Sequence, residues 1–140
     1  MTPSVYSKPD ACASYALPAE DLGDWSRCVS REWLVTNGIG GYSSGTLSGA
    51  NTRCYHGFLT AALDPPGGRT VLAAVIEETV QFEGQSYSLS STEWWDESVS
   101  PRGYENLEGF RLENGMPVFS YRIAGHLLEK RVWMEMMRRR

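Results

Sequence analysis

The chain is short of most residues that announce a chemistry. It has three cysteines, Cys12, Cys28 and Cys54, an odd number at wide spacings with no CxxC. That pattern disfavours a disulfide framework and a zinc site, and reduced thiols are the simplest expectation. Neither a metal nor an organic cofactor is expected. Positive charge is sparse: the net charge is −4, and no basic cluster precedes Arg138, Arg139 and Arg140 at the end. A nucleic-acid surface needs a basic stripe, so that partner is disfavoured, and the terminal arginines read as a solvated tail. Long apolar runs are missing as well. No window approaches the ~20 apolar residues of a membrane helix, and the first residues lack the apolar core of a signal peptide. These absences point to a cytoplasmic chain without a membrane partner.

Helical periodicity is the next thing lacking. No segment carries ten or more residues of clean 3.6-residue patterning with caps. What the 140 residues do contain is β-forming runs punctuated by glycine. Residues 1–24, rich in Pro, Ala and Ser, read as an N-terminal arm, and residues 25–140 as the folded domain. "REWLVT" (Arg31 to Thr36) is a strand candidate closed by Asn37-Gly38, a type I′ turn signal. "GYSSGTLS" is the returning strand and "TRCYHGFLTAAL" (Thr52 to Leu63) the next. "DPPGG" breaks the chain, because two prolines remove backbone donors. "RTVLAAVIEETVQF" follows as an apolar, β-branched run; Glu83-Gly84 is a weaker turn, and "QSYSLS" alternates beyond it.

The meander is clearest later. "NLEGFRLE", Asn114-Gly115, "MPVFSYRI", Ala124-Gly125 and "HLLEKRVWM" follow in order. In "VFSYRI", Val118, Ser120 and Arg122 fall on one face, and Phe119, Tyr121 and Ile123 on the other. The reading is all-β: an antiparallel β-sandwich. The last strand candidate runs into "WMEMMRRR" with no closing turn. An unpaired terminal strand is an aggregation hazard, so the sandwich is expected to be incomplete at its C-terminal end.

Three stretches could carry chemistry. "GIGGYSSG", from Gly38 to Gly45, is no phosphate loop, since no Gly-Lys-Ser/Thr follows, and the dinucleotide pattern fails at Ser43. Gly41-Tyr42-Ser43-Ser44-Gly45 matches the GxSxG nucleophile elbow. That elbow needs a helix after the serine, and "TLSGAN" is poor helix material. Turns, bulges and close backbone approach within a sheet account for the glycines better.

"NTRCYHG" packs Asn51, Arg53, Tyr55 and His56 into six residues. On a strand, Arg53 and Tyr55 would share one face, and Cys54 and His56 the other. With Tyr42, these residues form either a polar face toward a substrate or partner domain, or a buried hydrogen-bond network tying the glycine turns together. "STEWWDES" sets Trp94 and Trp95 among Glu93, Asp96 and Glu97. Tryptophan beside carboxylates suits carbohydrate, since sugar C–H faces stack on aromatic rings. Neighbouring strand residues point oppositely, so the two rings cannot form one platform on a strand, and at least one is expected in the core. A glycosidase needs an acid and a base about 5 to 9.5 Å apart, and nothing selects such a pair from Glu77, Glu78, Glu93, Asp96, Glu97, Glu105 and Glu108.

Three segments, taken in order, carry a resemblance: "EWLVTNGIGGYSSGTLSGANTRCYHGFLTAAL", "PPGGRTVLAAVIEE" and "PRGYENLEGFRLENGMPVFSYRIAGHLLEKRVWM". Together they resemble the N-terminal domain of bacterial and archaeal glycogen debranching enzymes of the amylo-α-1,6-glucosidase type, over roughly Glu32 to Met134. The chain departs at Cys54, where a second basic residue is common, and in "MEMMRRR". The resemblance implies a β-sandwich of the supersandwich kind, placed before a helical toroid that holds the hydrolytic acids. It implies a role in α-glucan debranching, with α-glucan and the C-terminal helical catalytic domain of the same protein as partners. No catalytic residue is then expected within this chain. An autonomous glucan-binding module is the alternative. A share in 4-α-glucanotransferase activity is a further one, though no residue constellation here supports it.

Overall fold

The computed structural model describes residues 15–136. Cys12, most of the N-terminal arm and the basic tail at Arg138–Arg140 lie outside the described residues. The first strand, β1, spans Tyr15–Ala16, and a 3₁₀ turn at Ala19–Asp21 follows it. A six-residue helix, α1 (Trp25–Ser30), comes next. Asp24 starts it, its carboxylate accepting the Arg27 N–H at 3.0 Å. Four strands then form one sheet: β2 (Glu32–Thr36), β3 (Tyr42–Thr46), β4 (Gly57–Asp64) and β5 (Gly67–Ala73), in that spatial order. Two small hairpins follow, β6 (Thr79–Phe82) with β7 (Gln85–Ser88), and β8 (Ser91–Glu93) with β9 (Val99–Arg102). The chain ends in β10 (Leu107–Glu113), β11 (Met116–Ile123) and β12 (His126–Arg131). These three form a second four-stranded sheet with β1, in the order β1-β10-β11-β12. Every pairing is antiparallel.

The two four-stranded sheets face each other across an aromatic core, which makes the fold an antiparallel β-sandwich. Trp33 of β2 stands edge-on to Phe119 of β11 at 5.7 Å between ring centres, and Phe110 meets Phe119 at 5.1 Å. Tyr121, Ile123, Leu107, Leu89, Leu47 and Val132 join the buried cluster. As expected, Phe119, Tyr121 and Ile123 are buried and Arg122 is exposed; Val118, expected on the same face as Arg122, is fully buried instead. Burial pushes the Tyr121 phenol well above its ordinary pKa. The helix seats Cys28 in the same core, where burial raises the thiol, and Trp25 packs on Tyr104 at 5.2 Å. Cys28 and Cys54 are free thiols, the second exposed.

Two-residue turns join the later hairpins. Asn114-Gly115, Ala124-Gly125 and Glu83-Gly84 all have positive φ at both positions, the type I′ geometry that matches strand twist. Pro65-Pro66 turns the chain between Asp64 and Gly67, which pair.

Three local expectations fail. Asn37-Gly38 is not a two-residue turn: the connection runs through residues 37–41, because the Asn37 carboxamide oxygen accepts the N–H of both Ile39 (3.1 Å) and Gly41 (2.9 Å). The strand read at Thr52 begins only at Gly57, and residues 51–56 turn instead. The long run from Arg69 to Phe82 divides into β5 and β6, separated at residues 74–78.

Candidate functional site

Because Trp33 and Val35 of β2 face the core, the alternation of the strand sends Glu32, Leu34 and Thr36 to its outer face. Their partners on β3, Thr46, Ser44 and Tyr42, point the same way. The 48–56 segment folds back over this face and is fastened by it. The Thr46 hydroxyl donates to the Ala50 carbonyl at 2.6 Å. The Tyr42 phenol donates to the Tyr55 carbonyl at 2.8 Å, and the Ser44 hydroxyl to the same oxygen at 3.3 Å. Asn51 reaches the other way, its Nδ2 donating to the Ala74 carbonyl at 2.8 Å. The turn is thereby tied both to β3 and to the exit of β5.

At the centre lies Glu32, which the sequence did not single out. Its carboxylate accepts Arg53 Nε at 3.1 Å and the Tyr55 hydroxyl at 2.9 Å. His56 is enclosed; its Nδ1 accepts the N–H of Thr52 (3.0 Å) and of Arg53 (3.3 Å). Those two bonds put the ring proton on Nε2. Nε2 lies 3.3 Å from Glu32 Oε2, close enough for electrostatic attraction but outside hydrogen-bond geometry. The Arg53 guanidinium first, and the Tyr55 hydroxyl second, hold the Glu32 carboxyl below the usual carboxylate range. The same carboxylate pushes the Tyr55 phenol up. Near neutral pH Glu32 is thus an ionised acceptor and Tyr55 a protonated donor, a pairing suited to fastening a turn and unsuited to general-acid work by Glu32.

The structure brings Tyr42, Asn51, Arg53, Tyr55 and His56 together around one turn, in an orientation that strand alternation does not give. On a turn, Arg53, Tyr55 and His56 converge on one carboxylate, and the strand-based split into two faces does not hold. Nothing in the spacing signals Glu32, which lies 21 residues before Arg53. Beside the cluster an open groove of about 480 Å³ runs along Leu34, Tyr42, Tyr55 and Arg69 over the glycine-rich 38–41 connection. Gly40 is required there: its φ is +101°, and a Cβ would come within 2.6 Å of the Pro66 carbonyl.

Trp94 and Trp95 lie elsewhere, in the turn that links β8 to β9. Neither is in the core, contrary to expectation. Trp95 is 94% exposed, and Trp94, 53% exposed, donates its indole N–H to the Ser100 carbonyl at 2.8 Å. A tight turn closed by Trp94 N–H to the Ser98 carbonyl leaves the rings no sheet face to enter. Several of the acidic residues considered above are neutralised by cations: Glu78 by Lys130 (2.8 Å), Glu105 by Arg102 (2.7 Å) and Glu108 by Arg122 (2.8 Å). Among the described residues, no three His, Cys, Asp or Glu side chains converge so as to hold a metal ion, and no helix is long and apolar enough to cross a membrane.

Fold and site together define a class: a two-sheet antiparallel β domain with a charged cluster built into the outer face of one sheet. Its membership is specific. The profile of the glycogen debranching enzyme N-terminal family matches residues 31–140, from the residue before β2 to the last residue, and the chain belongs to that family. It is the N-terminal part of a glycogen debranching enzyme. No curated protein and no solved structure matches it significantly.

Proposed function

We propose that this domain is a non-catalytic scaffold in α-1,6-glucosidic debranching of glycogen-like α-glucan in the cytoplasm. In this reading it packs on a helical catalytic domain of the same protein, which supplies the hydrolytic carboxylates. One observation carries the proposal. Leu59, Leu63 and Leu72 share one face of the β4–β5 hairpin and are exposed, as are Val75 and Ile76 just after it. Clustered exposed apolar side chains mark an interaction surface. The Glu32 cluster supports that surface from behind, since Asn51 pins the fastened turn to Ala74 at its edge. The test is glucose release from a limit dextrin. The chain alone should release none, and activity should appear with a helical domain of the family supplied in trans. Leu63→Glu with Leu72→Glu should abolish that activity while the circular dichroism stays unchanged. Glucose released by the chain alone, or a double variant that still supports activity, refutes the scaffold reading.

The hairpin-tip tryptophans favour a second reading, an α-glucan-binding module. Trp95 presents a whole ring to solvent. Saturable calorimetric binding of maltoheptaose, lost in Trp95→Ala, would support it; binding unchanged by Trp95→Ala and by Trp94→Ala would end it.

A further inference from the structure

Four strands close the edges of the two large sheets: β2 and β5 in one, β1 and β12 in the other. An open edge invites pairing unless something blunts it. β1 has two residues, too few to template a partner. β12 carries Glu129, Lys130 and Arg131. β5 begins Gly67-Gly68-Arg69, and its pairing with β4 is interrupted by a bulge. β2 has only one charge, Glu32, and that is held by Arg53 and Tyr55 of its own chain. It pairs with β3 without a register shift from Glu32 through Thr36 and contains no glycine, proline or lysine.

Its backbone groups can be placed. The Arg31 carbonyl accepts from Leu47 N–H, and Asn37 N–H donates to the Gly41 carbonyl. Both residues therefore bond toward β3. Alternate residues of an antiparallel ladder bond to the same side, so Trp33 and Val35 do likewise. Glu32, Leu34 and Thr36 direct their N–H and C=O groups off the sheet, where no strand among the described residues pairs with β2.

We propose that this edge is a self-association surface. Two copies of the chain pair antiparallel about a two-fold axis at Leu34, joining their β2–β5 sheets into one. Antiparallel self-pairing is an isologous contact, which closes after two subunits. Centring on Leu34 brings all three outward-bonding residues into the ladder, whereas centring on Trp33 or Val35 brings in two. It places Leu34 against its own copy and Glu32 opposite Thr36 of the second copy. No like charges then meet, whereas a parallel in-register pairing would set Glu32 beside Glu32. Glu32 brings no unpaired charge to the seam, because Arg53 and Tyr55 of its own chain already hold it. Leu34, 54% exposed, borders two apolar grooves flanking the edge, one along Tyr15 and Leu17 and one along Trp133 and Met136. Association covers this apolar border.

Sedimentation velocity and amide hydrogen exchange on the full chain, across the micromolar range, test the proposal. The expected result is a concentration-dependent dimer. The Leu34 amide should exchange at least ~10-fold more slowly in the dimer, while the Val35 amide, already bonded to β3, changes little. Leu34→Pro removes an N–H that points off the sheet, a substitution an edge strand accommodates. It should give a monomer at every concentration with an unchanged circular dichroism spectrum. Thr36→Glu sets two carboxylates across the seam and should weaken the dimer about tenfold; Thr36→Lys should not weaken it. Three results would overturn the proposal: a monomeric parent chain throughout the range, a folded Leu34→Pro or Thr36→Glu variant that dimerises like the parent, or Leu34 amide protection independent of concentration. The last would mean that the edge is covered within one chain.

Discussion

The two four-stranded sheets are built on different principles. In β10-β11-β12 each corner is two residues long, and the β11–β12 pairing runs without interruption from Val118 to Ile123. In β2-β3-β4-β5 the corners are held by side chains and by distant backbone. Asn37 organises the first connection, Glu32 and His56 the second, and Gly40 abuts the Pro65-Pro66 corner of the third. The pairing slips twice here, between Tyr42 and Ser44 and between Leu59 and Thr60, against once in the other sheet, between Leu107 and Gly109. The sheet with local corners carries an ion network of Arg111, Arg131, Glu113 and Glu129 along its strands. A sheet whose corners are tied across it can present a shaped outer face, and the charged cluster and the groove are found there.

Substitutions can break or sharpen this contrast. The largest effect is expected in the shared core. Phe119→Ala removes the ring that Trp33 and Phe110 both contact, and should cost about 3–5 kcal/mol in urea unfolding. Next comes a pair of glycines, one from each sheet. Gly40→Ala combines strain at positive φ with overpacking against the Pro66 carbonyl, and should cost about 2–4 kcal/mol. Gly115→Ala meets nothing within 4 Å and bears the backbone strain alone, about 1–2 kcal/mol. Equal losses at the two sites would show that the distant tie contributes nothing and would erase the contrast.

The smallest effect is in acid. The Glu32 and Glu113 carboxyls are both held below their ordinary values, each chiefly by a bonded arginine, Arg53 and Arg111 respectively. The unfolded chain therefore binds these protons more readily than the folded one. The stability they contribute is full above the unfolded carboxylate value, near ~4.3, and is lost as pH falls through the lower folded values. Glu32→Gln and Glu113→Gln should each flatten the acid limb of a melting-temperature profile. In Glu32→Gln alone, amide exchange should also quicken at residues 52–56. If both variants quicken exchange only at their own strands, the carboxylate does not fasten the turn.

Legibility followed the same division. Asn114-Gly115 and Ala124-Gly125 announce their hairpins because a two-residue turn is decided by the φ preferences of its own residues. The Phe119-Tyr121-Ile123 face is equally plain, since alternation is local. Asn37-Gly38 carried the same signal and misled, because the Asn37 side chain found better acceptor geometry by capturing two amides further along. The cluster residues from Tyr42 to His56 stood out by type. Their orientation did not, because it depends on Glu32, and no local pattern links a carboxylate to a turn 21 residues later. The expectation that Trp94 or Trp95 is core rests on strand alternation; the Ser98 carbonyl and the Asp96 side chain close a turn there instead.

Composition, alternation and turn residues were enough to determine an antiparallel β protein and its later meander, and the resemblance of three long segments indicated its family. These depend on short-range sterics and on a long residue pattern that any folded copy must share. The tertiary structure alone decided that Glu32 gathers Arg53, Tyr55 and His56, that Trp94 and Trp95 stay outside the core, and that β2 closes one edge of its sheet among the described residues. Each of these follows from which surfaces remain after the two sheets close on one another, and a linear sequence carries no local signal for that.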